Sequence, residues 1–213
     1  MVPIGPRYRR YYERCTDNSN QKNVIAMIKS WKRKESQLLQ KTRILDFCEA
    51  TDISPYTEKE HSFVFIDSLN WVNLVPITEQ NEIVMIRQYR HGSQRVTLEI
   101  PGGIVEFGEE PQNAAARECH EETGYVVGTP YSLGELNPNP ALFNNSLYTF
   151  YARVGEYRPE HHLSETEKTE VQLIAINRLK PLLFDGTIDH ALVCATLWRF
   201  LDRWQDDKLS FAK

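Results

Sequence analysis

Several features that would place a chain quickly are missing from these 213 residues. No apolar run approaches the ~18 residues of a membrane-spanning helix, and the opening MVPIGPRYRRYYER holds no hydrophobic core of the signal-peptide type. The four cysteines (Cys15, Cys48, Cys119 and Cys194) are scattered, with no CxxC pair and no histidine-rich tract beside them. That argues against a disulfide framework and against a zinc site. The expectation is a protein of the reducing cytoplasm with no membrane partner. Excess positive charge is missing too: 25 Lys and Arg face 29 Asp and Glu, a formal net charge of −4, with a pI near 5.9. A nucleic-acid partner held by a broad basic surface is therefore not expected, and the basic stretch Arg7–Arg14 is only a local exception.

What remains is ordinary globular composition, with 41% apolar and 25% charged residues and neither repeats nor low-complexity segments. Residues 1–60 are polar and loosely patterned. Val24, Ile25, Ile28 and Trp31 have the spacing of a short helix, and Leu38–Phe47 reads as a strand leading to a turn at Ser54-Pro55. From residue 61 the pattern sharpens into the β-rich runs Ser62–Ile66, Trp71–Pro76, Ile83–Gln88 and Val96–Ile100. Pro111 then opens a helix over Gln112–Glu122, and Gly124 suits its left-handed cap. Strands resume at Tyr125–Val127, Ser132–Leu136 and Leu147–Val154. A polar loop covers Gly155–Thr169, followed by a strand at Val171–Ile176 and a last helix over Asp189–Trp204. Without strict βαβ alternation, this order favours an α+β sandwich over a doubly wound sheet.

Chemistry concentrates in residues 103–125, GIVEFGEEPQNAAARECHEETGY, which carry six acids and one base. At about 100° per residue, Glu118 and Glu122 project about 40° apart, and Glu121 lies about 60° to the other side of Glu118. Solvated, such a face is only an acidic surface. Yet Ala114, Ala115 and Ala116 keep the preceding turn small, and Arg117 is placed to hold one carboxylate through a bidentate pair. Converging hard oxygens are what Mg²⁺ or Mn²⁺ requires.

Gly103, Glu109, Arg117, Glu118, Cys119, Glu121, Glu122, Gly124 and Tyr125 fit the pattern G-x5-E-x7-R-E-U-x-E-E-x-G-U. Its seven fixed residues would co-occur by chance on the order of 10⁻⁹ per start position. The segment resembles the Nudix box. The resemblance implies a Nudix fold, a mixed sheet sandwiched between helices (α/β/α), with a loop–helix–loop that binds divalent metal and hydrolysis of a nucleoside diphosphate linked to another group. The wider chain is similar to ADP-ribose pyrophosphatases and related nucleotide-sugar hydrolases. The likeness lies in Arg87-Gln88-Tyr89-Arg90, in Leu98-Glu99-Ile100-Pro101-Gly102-Gly103 and in Gly186-Thr187-Ile188-Asp189-His190-Ala191.

The resemblance implies Glu118, Glu122, Glu121 and the Gly102 carbonyl as ligands of Mg²⁺ or Mn²⁺. It implies Glu167 or Glu165, in the Glu165-Thr166-Glu167 loop, as the base for the attacking water, with Glu121 as the further candidate. Arg87, Arg90, Glu99 and Pro140 are the substrate-binding candidates, Pro140 lying in Asn137-Pro138-Asn139-Pro140-Ala141 where relatives carry a Ser-Pro-Gly-type turn. The small-molecule substrate is expected to be an ADP-ribose-like nucleotide sugar. The alternatives are GDP-mannose, a dinucleoside polyphosphate, coenzyme A or a capped RNA, or a module that senses ADP-ribose without cutting it. Residues 1–60 are expected to be a dimerisation segment exchanged in a homodimer, and 61–213 the Nudix domain. Trp71, Tyr89 and Phe143 are expected in the core or an interface, and His91, His190 and Cys119 in structural roles.

Overall fold

Two sheets divide the described residues, 28–158 and 168–205, of the computed structural model. The first is a three-stranded antiparallel meander of β1 (Lys32–Lys41), β2 (Leu45–Ile53) and β3 (Glu60–Ser68). The second holds eight strands: β4 (Trp71–Ile77), β5 (Glu82–Arg90), β6 (Arg95–Glu99), β7 (Gly102–Ile104), β8 (Tyr125–Val127), β9 (Tyr131–Leu136), β10 (Leu147–Tyr157) and β11 (Thr169–Ala175). Its central path runs β11-β5-β4-β10-β8, with β6 beside β5, β7 beside β4 and β9 beside β10. Strands β4 and β10 pair in parallel and the other neighbours are antiparallel, so the sheet is mixed as expected.

Three helices among the described residues cover this sheet: α1 (Pro111–Thr123), α2 (Ile176–Phe184) and α3 (Ala191–Gln205). Alternation along β4 shows how. Val72 and Leu74 pack with Ala114, Ala115 and Cys119 of α1 on one face. Val75 and Ile77 pack with Leu179 of α2 and Val193, Leu197 and Phe200 of α3 on the other. A strand buried on both faces reads as a continuous apolar run, which is why WVNLVPI shows no alternation of its own. The α/β/α sandwich is thereby established. Among the described residues no helix is long and apolar enough to cross a membrane.

Helix α1 opens on Pro111 and closes at Gly124, whose φ of 74° and N–H bond to the His120 carbonyl (2.8 Å) make the left-handed cap the sequence suggests. Other elements differ from expectation. The strand expected over Leu38–Phe47 is two strands, because the Thr42 hydroxyl closes a tight turn by bonding to the Leu45 carbonyl and accepting the Leu45 N–H. A threonine does here what glycine or asparagine more often does. Ile176, expected to end a strand, instead opens α2, whose Pro181 in the last turn hides its helical character. Most of the helix expected near Val24–Trp31 lies outside the described residues, and β1 begins directly after Trp31. The first sheet runs to Ser68, past the boundary expected at residue 60.

Candidate active site

The site forms where the C-terminal half of α1 lies over β7. Four helical residues rise about 6 Å and two strand residues about 6.6 Å, so carboxylates spaced i,i+4 match alternate strand N–H groups. The Gly102 N–H donates to Glu122 Oε2 (2.9 Å), and the Ile104 N–H donates to Glu118 Oε1 (3.2 Å). Glycine at 102 and 103 is a matter of space. A Cβ at Gly102 would stand 2.2 Å from the Val72 carbonyl oxygen, and one at Gly103 would stand 2.3 Å from the Glu118 carboxyl carbon.

Arg117 organises the rest. Its Nε and Nη2 donate to the two oxygens of Glu109 (both 3.0 Å), and its Nη1 donates to Glu118 (3.0 Å) and Glu121 (3.1 Å). A last bond runs to the Ile104 carbonyl (3.0 Å). One guanidinium thus serves three carboxylates, where the sequence suggested one. These bonds hold Glu109 below the usual carboxylate range and raise Arg117 above its own. Glu118 is pushed up by burial, partly offset by Arg117. Glu122, only 8% exposed, is pushed up to about 8 by burial, and the nearby Glu118 charge adds to the rise.

A second ion pair borders this cluster. Arg90 grips both oxygens of Glu99, Nε to Oε1 at 2.8 Å and Nη2 to Oε2 at 2.7 Å, and the Thr97 hydroxyl adds a bond to Oε1 (2.6 Å). Burial drives the Glu99 carboxyl upward, but Arg90 and Thr97 together outweigh it and hold it below the ordinary range. Both Arg90 and Glu99 act electrostatically on Glu122, so the two groups of acids adjoin.

Not every expected residue is gathered here. Alternation puts Arg87 on the sheet face of Ile83 and Met85, away from Arg90, where its Nε donates to Gln172 (3.1 Å). Pro140 is exposed on the loop between β9 and β10. Glu165 and Glu167 lie outside the described residues. Trp71 meets Phe143 edge-on at 5.5 Å, whereas Tyr89 is half-exposed against His91. The buried Cys119 thiol is pushed up to about 12, in keeping with a packing role. Sequence reasoning missed Thr97 and Gln88, which lie in β-strands without motif spacing; strand alternation alone would have put them on the face of Glu99 and Arg90.

Among the described residues no group of three or more His, Cys, Asp or Glu side chains stands ready to hold a metal. The donor chemistry nevertheless fits a hard divalent cation. Glu118 and Glu122 are adjacent, largely buried carboxylates with raised proton affinity, and a cation would relieve both burial and repulsion.

With this geometry in view, comparison with known proteins is informative. The NUDIX domain family model matches residues 69–195. The chain is 30% identical over 106 residues to an ADP-ribose pyrophosphatase of Bacillus subtilis (strain 168), covering 49% of this chain and 57% of that protein. It is 33% identical over 105 residues to a methanol dehydrogenase activator of Bacillus methanolicus, covering 49% and 56%. The chain thus spans a little over half the length of these curated relatives. A crystal structure of an ADP compounds hydrolase superposes with a TM-score of 0.73 at 17% identity, covering 86% of this chain and 99% of that one. That likeness is one of fold.

Proposed function

Because the chain belongs to the Nudix family, we propose that it is a divalent-cation-dependent pyrophosphohydrolase of nucleoside diphosphate sugars, with ADP-ribose as the expected substrate. One observation carries this reading. Arg117 is committed to Glu109, Glu118 and Glu121, while the neighbouring buried Glu122 has a backbone N–H as its hydrogen-bond donor and a strongly raised proton affinity. A fold that keeps such a carboxylate beside another has a use for a cation.

In this reading Glu118, Glu122 and the Gly102 carbonyl hold Mg²⁺ or Mn²⁺, with Glu121 available once it leaves Arg117. Bound there, the cation neutralises diphosphate charge and favours in-line attack of water on phosphorus. Arg90, fixed by Glu99, offers its half-exposed guanidinium to the diphosphate. Glu167 or Glu165 takes the proton from the water. Arg117 keeps the box loop and helix in register, so that the carboxylates meet the substrate with little rearrangement.

The active form is proposed to be a homodimer in which the β1–β3 region of one copy completes the site of the other. That sheet and the preceding segment leave Trp31, Leu38, Leu39, Phe47, Phe63 and Val64 substantially exposed, a composition that suits burial against a second copy.

The test is a panel of ADP-ribose, GDP-mannose, diadenosine polyphosphate and coenzyme A, each with Mg²⁺ and with EDTA. Mg²⁺-dependent release of AMP from ADP-ribose is the expected result. Binding of ADP-ribose without cleavage would instead make the protein a sensing module.

A further inference from the structure

We propose that Gln88 is a positioning residue whose side-chain carbonyl accepts a hydrogen bond from water bound to the divalent cation. The inference rests on the metal-dependent reading above. Gln88 is only 9% exposed, yet among the described residues its Oε1 has no hydrogen-bond partner. A buried carbonyl in that condition is destabilising, since the water it gave up on folding is not replaced. The other such oxygen among the described residues, Asn145 Oδ1, sits in the loop that ties the two sheets together, where its own Nδ2 bonds to the Leu69 carbonyl.

Register places Gln88 beside the Arg90–Glu99 pair that borders the acid cluster. It lies opposite Thr97 on β6 and Thr169 on β11, two residue pairs from Ile86–Glu99 on one side and two from Arg90–Arg95 on the other. Directly paired residues share a sheet face, so Gln88, Arg90, Thr97, Glu99 and Thr169 all point to one side. The Arg90–Glu99 ion pair joins residues of two rungs that flank Gln88–Thr97 and so crosses that position diagonally. Glu122 feels both members of this pair, and its main-chain carbonyl accepts the Thr169 hydroxyl (2.6 Å).

Among the described residues the nearby donors are directed elsewhere. Thr97 has one hydroxyl proton, and its bonds go to Glu99 and to the Gln88 main-chain carbonyl. Thr169 donates to the Glu122 carbonyl, and the Gly102 N–H donates to the Glu122 carboxylate. The donor that suits Gln88 must be small enough for a buried site and held by the neighbouring acids. A water on a cation meets both requirements, and its polarised protons favour a strong acceptor such as an amide oxygen.

The experiment titrates Mn²⁺ into the full chain by electron paramagnetic resonance and follows thermal unfolding in EDTA, for wild type, Gln88→Met, Gln88→Glu and Glu122→Gln. Gln88→Met keeps the volume but cannot accept. It is expected to bind Mn²⁺ ~10-fold more weakly while melting ~2–4 °C higher in EDTA, because the unpaired carbonyl is gone. Gln88→Glu retains an acceptor and is expected to bind Mn²⁺ at least as tightly as wild type. Wild-type Mn²⁺ affinity in Gln88→Met would overturn the proposal, whether or not KM for ADP-ribose rises. A lower melting point of Gln88→Met in EDTA would also overturn it, by showing that the amide has a purely structural partner. A wild-type chain that binds no Mn²⁺, or a Glu122→Gln variant that binds normally, would instead remove the metal-dependent reading beneath it.

Discussion

The two sheets of this molecule differ both in composition and in cover: β1 (KRKESQLLQK) is apolar only at Leu38 and Leu39, whereas β4 (WVNLVPI) is polar only at Asn73. In β4 every residue from Val72 to Ile77 is buried, because α1 covers one face and α2 and α3 the other. In β1 all ten residues are exposed, Leu38 and Leu39 among them. The last strand of the first sheet meets the loop between β9 and β10: the Ile66 N–H bonds to the Leu142 carbonyl (2.7 Å), and Asn144 Nδ2 bonds to Asp67 (2.7 Å). Leu74 is buried and Leu38 and Leu39 are exposed because α1, α2 and α3 cover the eight-stranded sheet. The eight-stranded sheet is finished by its own helices, and the three-stranded sheet is the part we assign to a second copy.

The contrast can be sharpened first at the chemical centre. Glu122→Gln is expected to lower kcat by ~10²-fold or more at saturating Mg²⁺, since a neutral amide is a poor ligand for a hard cation. Its thermal transition in EDTA should not fall, because a buried carboxylate with raised proton affinity loses little by becoming neutral. A near-normal rate would remove Glu122 from the site.

The next test trades one leucine against another. Leu74, fully buried between β4 and α1, is expected to cost ~2–5 kcal/mol on truncation to alanine. Leu39, half-exposed in β1, should cost under ~0.5 kcal/mol in a dilute monomer. Urea unfolding at two protein concentrations would show it, and a large concentration-independent loss for Leu39→Ala would break the contrast.

Removing residues 1–68 is expected to lower the mass seen by light scattering to about one third, that of one shortened chain in place of two full ones, and to lower kcat/KM for ADP-ribose ~10-fold or more, about the effect of losing one interface anchor. The eight-stranded sheet should still unfold cooperatively. A full chain of monomeric mass at micromolar concentration, or a shortened chain with unchanged kcat/KM, would sink the exchanged dimer.

The smallest effect concerns pH. Glu99 is held below its ordinary pKa, so its contribution is fully present above about pH 4.5 and is lost as pH falls through the lowered folded value. Glu99→Gln should therefore be less stable than wild type at neutral pH, by ~1–2 kcal/mol given that the partner Arg90 is partly solvated. The gap should close as the pH drops below about 4. A gap that stays constant from pH 7 to 3 would mean that the Arg90 pair contributes nothing.

Local sequence determined a good deal of this. Pro111, the run of helix formers and Gly124 delimit α1 almost to the residue, because caps and propensity act within one turn. The spacing of Glu118, Glu121 and Glu122 placed three acids on one face because helix geometry is fixed. Tertiary structure decided the rest. That Arg117 also reaches back to Glu109 in the loop before the helix, and that Glu118 and Glu122 lie against alternate N–H groups of β7, depend on how helix, loop and strand dock. Equally, the raised proton affinity of Glu122 comes from burial, which no spacing rule contains. Helix caps and turns are contests among neighbours in the chain, whereas desolvation and cross-strand register arise only once distant segments exclude water from each other.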